Sequence, residues 1–152
     1  MNIVSKYFNW LQKNNPRNIV ESYPEIDEQK ETSVQGVYIV GDLTGIPLLK
    51  LAADGGAKIV KQLFSDQKTA LEKEKNHDIY DLVIVGAGPA GISAAIECKK
   101  KNINYIILES NRILNTIENF PKEKPITLKP DGVQLELPLE MSDGTKETLL
   151  DE

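Results

Sequence analysis

Apolar positions along the chain fall into short blocks separated by glycine, proline and charge. Near the start, Ile3, Val4, Tyr7, Phe8 and Leu11 recur at helical spacing and predict an amphipathic helix over residues 3–13. Asn14-Asn15-Pro16 ends it, because proline restricts the residue before it and has no N–H to donate. Residues 17–31 are polar and acidic and read as an irregular arm containing Pro24. Val37-Tyr38-Ile39-Val40 is β-branched and aromatic, stops at Gly41-Asp42, and predicts a buried strand. Gly45 and Pro47 then open a helix from about residue 48 to 64, with Leu48, Leu49, Ala52, Ile59, Val60 and Leu63 available for burial. Inside it, Gly55-Gly56 costs roughly 2 kcal/mol relative to alanine. A stable helix tolerates that pair where a neighbour packs closely or where the helix bends.

Residues 65–78 are polar and charged, a linker or an exposed helix. A second strand is predicted over 79–85, followed by Gly86-Ala87-Gly88-Pro89-Ala90-Gly91 and a helix over 89–101 whose early face is small: Ala90, Gly91, Ala94 and Ala95. Residues 105–108 make a third strand, ended by Glu109. Further on, Lys129-Pro130-Asp131-Gly132 has the residues of a reverse turn. The flanking stretches 126–128 and 133–137 predict a small hairpin, and a short helix begins at Thr145. The chain thus divides into an amphipathic helix and acidic arm (1–30), a strand–helix pair around Gly41-Asp42 (31–64), a charged linker (65–78), a glycine-loop βαβ unit (79–125) and a hairpin with the start of a helix (126–152). Strands alternating with helices indicate the α/β class: a Rossmann-like parallel sheet flanked by helices, with a small β-hairpin near the C-terminus.

Composition narrows the function classes. Its 152 residues suit one domain, and 18 Lys+Arg against 23 Asp+Glu give a net charge of −5. That balance argues against nucleic-acid binding, which needs clustered basic residues. Cys98 stands alone, which excludes an internal disulfide, a CxxC redox centre and a cysteine zinc site. No apolar run reaches the ~18 residues of a membrane span, and the first ten residues lack a secretory cleavage site. The expectation is a soluble, cytoplasmic protein of a reducing compartment.

Chemistry concentrates at the glycine loop. Gly86 turns the chain sharply, Gly88 leaves room for a pyrophosphate at the backbone, and Gly91 lets helix and strand pack closely. The helix that starts near Pro89 aims unpaired N–H groups at phosphates, so Ala90 belongs to the same cradle. Glu109, at the end of the next strand, is placed to accept from adenosine ribose hydroxyls and to repel a 2′-phosphate. This motif alone leaves FAD and NAD open. Cys98 reads as core packing, His77 as a solvated histidine, Trp10 as a packing residue, and Glu25, Asp27 and Asp54 as solvated acids. No spacing suggests a metal site.

Thr32-Ser33-Val34-Gln35-Gly36-Val37-Tyr38-Ile39-Val40-Gly41-Asp42 resembles the second FAD-binding motif of the pyridine nucleotide-disulfide reductase class. Thr116-Ile117-Glu118-Asn119-Phe120-Pro121 resembles the loop along the flavin in thioredoxin-reductase-like proteins, with wording closest to the bacillithiol-disulfide-reductase-like branch. The resemblance implies FAD as cofactor, with NAD(P)H as electron donor of the complete enzyme. It also implies that Asp42 holds a ribityl hydroxyl beside Gly41. The backbone of Lys50, Leu51 and Ala52 would meet the flavin's N1/C2=O edge, and Asn119 would bond the flavin or ribityl chain with Thr116 close by. In most of that class the Gly-Asp motif follows the glycine fingerprint, whereas here it precedes it. The chain has neither a second GxGxxG nor a second cysteine. An FAD-dependent oxidoreductase, or the FAD-binding portion of one, is therefore the leading expectation. The alternatives are a non-catalytic module that needs a partner chain, and a site for NAD instead of FAD. No protein group is assigned a catalytic role, and homodimerisation rests on the resemblance alone.

Overall fold

The computed structural model describes residues 23–65, 79–126, 133–139 and 141–151. Those residues form, in chain order, a 3-10 turn Gly41–Thr44, helix α1 Leu49–Leu63, strand β1 Leu82–Val85, helix α2 Pro89–Lys100, strand β2 Tyr105–Leu108, helix α3 Asn115–Glu118, strands β3 Pro125–Ile126 and β4 Gly144–Thr145, and helix α4 Lys146–Asp151. The helix expected over 3–13, most of the 65–78 linker, Trp10, His77 and the turn at 129–132 lie outside the described residues.

Strand β1 runs parallel to β2, with Leu82 opposite Tyr105 and Val85 opposite Leu108. Parallel neighbours need a crossover, and α2 supplies it, giving a β-α-β unit. Proline suits the first position of α2, where its missing N–H has no helical partner, and Lys99 and Lys100 suit the negative end of the helix dipole. Side chains alternate across the pleat. Leu82, Ile84, Tyr105 and Ile107 pack with Ile59, Val60, Ala94, Ala95, Cys98 and Ile103 to form the main core. Val83 and Val85 point the other way and are 52% and 83% exposed. Among the described residues, helices therefore cover one face of the sheet. The strand expected over 79–85 is confined to 82–85; before it, Asp81 N–H and Leu82 N–H both donate to the Asn104 carbonyl, at 2.8 and 3.3 Å.

Helix α1 lies against α2, and the glycine pair explains how close. A Cβ on Gly56 would stand 1.9 Å from the Ala90 carbonyl oxygen, so the two backbones touch there. The local helix penalty is offset by close packing.

The buried strand expected at 37–40 does not form. Gly36, at φ +81°, turns the chain back on itself, so Thr32 N–H donates to the Val37 carbonyl (2.8 Å) and Ile39 N–H to that of Lys30 (3.0 Å). Tyr38 keeps one antiparallel bridge, to Glu31. The segment's pairing is satisfied locally, and no ladder joins it to β1. Residues 23–31 are irregular, as expected of the arm; the Asp27 carboxylate accepts from Gln29 N–H and Glu31 N–H, at 2.8 Å each.

The hairpin expected near the C-terminus is also corrected. Ile126 pairs with Gly144 and Pro125 with Thr145, not with residues 133–137, which form no strand. Side chains of α1 capture that stretch instead. Glu136 N–H donates to the Asp54 carboxylate at 2.7 Å, and Lys61 forms an ion pair with Glu136. The helix that follows Gly144 does form. It is too short to stand alone, but Leu149 is buried with Ala53, Ile117, Ile126 and Met141 in a second core. Lys146 Nζ also donates to the carbonyls of Glu118 (2.9 Å) and Phe120 (2.6 Å), which α3 leaves unpaired at its end.

Candidate functional site

Gly86 adopts φ +98° where β1 turns into the helix, a conformation that disfavours any side chain. Its N–H donates to the Leu108 carbonyl at 2.8 Å, and Ala87 N–H donates to Glu109 Oε2 at 2.7 Å. Both of these loop donors are thus used by the protein. The remaining donors are the N–H groups of Gly88, Ala90 and Gly91, which take no protein acceptor among the described residues; Pro89 has none to offer. A Cβ at Gly88 would find no atom within 4 Å, so the loop's outer side is clear. Gly91 is different: its Cβ would lie 1.9 Å from the Gly86 carbonyl oxygen and 3.3 Å from Ile84 Cγ2.

Gly41, at φ +78°, starts the 3-10 turn. Its Cβ position lies 3.1 Å from Ala90 Cβ and 3.8 Å from Ala52 Cβ. The Gly-Asp corner therefore rests on the first turn of α2 and the first turn of α1 together, with Asp42 exposed. In α1, Ala52 N–H is already bonded to the Leu48 carbonyl at 2.8 Å. First-turn donors without a helical partner are therefore those of Leu49, Lys50 and Leu51. The Lys50 side chain turns away to an ion pair with Asp143.

The third segment is tied to the same place. Leu114, in the left-handed region at φ +55°, donates its N–H to the Ala87 carbonyl at 2.9 Å. Ile117 is buried against Ala53, with Leu49, Leu114 and Phe120 packed around them. Thr116 and Asn119 are exposed, and Asn119 Nδ2 donates to the Asn115 carbonyl (2.8 Å) and side chain (3.1 Å). Residues 41–42, 50–52, 86–91, 109 and 114–120 are thus linked by direct contacts. Sequence reasoning missed Ala87, whose N–H and carbonyl anchor both loops, and Leu114, whose left-handed backbone carries no signal in its residue type.

Glu109 Oε1 accepts from Asn111 N–H at 2.9 Å. The Ala87 N–H bond first, then that of Asn111, holds this carboxyl below its ordinary pKa, so it is ionised at neutral pH. Asp54 corrects an expectation: it is buried, not solvated, because residues 133–137 lie over it. Its charge is met by Lys58 one turn on, at 2.7 Å, and by Glu136 N–H. Cys98 is fully buried, and burial pushes its thiol up to about 11. Since the thiolate is the nucleophile, native protein at pH 8 is expected to react with a thiol reagent at least tenfold more slowly than unfolded protein. Equal rates would show the thiol to be accessible. Among the described residues there is no group of three or more metal-ligating side chains, and no helix is long and apolar enough to cross a membrane.

Residues 83–145 match the family described as pyridine nucleotide-disulphide oxidoreductase. The thioredoxin reductase of Mycoplasma genitalium is 48% identical over 67 residues, which is 40% of this chain and 21% of that protein. Thioredoxin reductase of Bacillus subtilis is 39% identical over 49 residues, 28% of this chain and 16% of the relative. Bacilliredoxin reductase of the same organism is 41% identical over 39 residues, 26% and 12% of the two chains. The chain therefore spans about a fifth or less of the length of these relatives. No solved structure matches it. The stretch that holds the glycine loop, its crossover helix and the segment after β2 is thus similar to pyridine nucleotide-disulphide oxidoreductases, and part of the chain is similar to thioredoxin reductases.

Proposed function

We propose that this chain is the FAD-holding portion of a thioredoxin-reductase-like oxidoreductase, in which NAD(P)H is the electron donor of the complete enzyme and the setting is cytoplasmic. The observation that carries the reading is the contact of Gly41 with Ala90 and Ala52, which sets the Gly-Asp corner and two helix N-termini side by side. The residues fit a dinucleotide: Gly88 has clear space in front of it, and the N–H groups of Gly88, Ala90 and Gly91 are available to a pyrophosphate. Glu109 would accept from the adenosine ribose and Asp42 from the ribityl chain. Lys50 and Leu51 N–H would face the flavin's pyrimidine edge, where the positive end of α1 suits negative charge. Thr116 and Asn119 would line the flavin side. FAD, when bound, supplies the electron transfer, and the chain's own groups bind and orient it.

Titration of the purified chain with FAD and, separately, NADH tests this. Saturable quenching of flavin fluorescence is expected, and Asp42→Ala is expected to weaken it about tenfold, the effect of one charged hydrogen bond. Binding of NADH with no uptake of FAD would assign the site to a nicotinamide nucleotide; binding of neither overturns the proposal. The exposed outer face of the sheet at Val83, Val85 and Leu108 favours a second reading, a module that turns over only beside further protein. Consumption of NAD(P)H with an artificial acceptor by the isolated chain separates the two.

A further inference from the structure

Glu109 carries more than the ribose contact assigned to it above. Its two carboxylate oxygens hold two backbone donors from different loops, Ala87 N–H after β1 and Asn111 N–H after β2. The same two loops are joined by Gly86 N–H to the Leu108 carbonyl and by Leu114 N–H to the Ala87 carbonyl. Arg112 is paired with Glu118 at 3.2 Å, and the Glu109 carboxylate is held by the Ala87 and Asn111 N–H groups together with the Ser110 hydroxyl, which donates to Oε1 at 3.4 Å. We propose that Glu109 is a positioning residue, a side-chain lock that fixes the glycine loop against the loop after β2 before any ligand arrives.

The residue type follows from the partners. Both are N–H donors, so both oxygens must accept, which an ionised carboxylate does and an amide cannot. Glutamine at this position sets its NH2 against one of the two N–H groups and loses that bond. Aspartate is one methylene shorter and cannot bridge the same span. Oε1 accepts from Asn111 N–H and, at 3.4 Å, from the Ser110 hydroxyl, whereas Oε2 accepts from Ala87 N–H and keeps a lone pair for a ligand. The lock therefore presents Oε2 as a ready acceptor to a ribose hydroxyl. That last step rests on the dinucleotide reading; the lock itself does not.

Amide hydrogen exchange on the ligand-free protein tests the lock. In Glu109→Gln, exchange at Ala87 or Asn111 is expected to rise at least tenfold while the core amides of Val60 and Cys98 stay as they were. Unchanged exchange at both loop amides overturns the proposal. Should the variant fail to fold, wild-type protein decides. Asn111 is exposed, so a protected N–H there supports the lock and an unprotected one overturns it. A ligand arm uses an FAD analogue whose adenosine ribose lacks both hydroxyls. Glu109→Gln is expected to bind it at least tenfold more weakly than wild type does, because the loop itself is displaced. Equal affinity would reduce Glu109 to a ribose contact and overturn the lock. Wild-type protein that binds neither FAD nor the analogue sinks the proposed function, and the exchange result still decides the lock.

Discussion

Gly56→Ala is expected to destabilise the protein by about 3 kcal/mol or more, while Gly55→Ala next to it stabilises by a few tenths to about 1 kcal/mol. The two glycines share a helix and, in isolation, a propensity penalty. They differ in what a methyl group would meet. At Gly56 it would stand 1.9, 2.7 and 2.9 Å from the O, C and Cα of Ala90, all backbone atoms of α2 that have no rotamer to escape into. At Gly55 the nearest atom is Val40 Cβ at 4.0 Å, an ordinary contact. Relief at Gly56 requires α1 and α2 to separate, and Ile59, Val60, Ala94 and Cys98 of the main core would move with them. Against a total stability of 5–15 kcal/mol for an ordinary domain, that loss is severe. Denaturant midpoints of the two variants measure it. Because Ala90 also meets Gly41, Gly56→Ala is expected to weaken FAD binding as well. Two variants that shift stability equally would mean that the helices are not in backbone contact.

The readable parts of this molecule are those whose burial is set by local pattern. The β-branched runs of β1 and β2 and the small face of α2 state their partners in their own composition, and the glycine pair of α1 announces a close neighbour. The unreadable parts depend on contacts that their own residue pattern does not announce. Residues 37–40 have strand composition, but Gly36 folds them back so that their backbone groups pair with Lys30 and Thr32 instead of with another strand. Residues 133–137 alternate like a strand, yet Asp54 and Lys61 take the Glu136 backbone and side chain. Asp54 itself looked solvated because nothing in its helix shows that a later segment will lie across it. The glycine loop and Glu109 were legible as a pair, while their direct bond through Ala87 N–H was not. That bond needs the curvature of two loops, including Leu114 in a left-handed conformation its residue type does not favour.

Within the glycine loop itself, two substitutions are expected to separate folding from binding. Gly91→Ala puts a methyl 1.9 Å from the Gly86 carbonyl oxygen and 3.1 Å from the Gly86 carbonyl carbon, with Ile84 Cγ2 at 3.3 Å behind them. The start of α2 must then lift off β1, which breaks the turn that Gly86 makes and loosens the packing of Ile84. A loss of about 3 kcal/mol or more is expected, read as a large fall in the denaturant midpoint. Gly88→Ala meets no atom within 4 Å and sits at φ −77°, where alanine is at ease. Its stability is expected to stay within about 0.5 kcal/mol of wild type. Yet the new methyl occupies the clear outer side of the loop, where a phosphate must approach the backbone. FAD affinity is therefore expected to drop at least tenfold in a protein that is otherwise intact. Full FAD binding by a stable Gly88→Ala would move the pyrophosphate away from this loop. A stable Gly91→Ala would show that the strand and helix have room the geometry denies them.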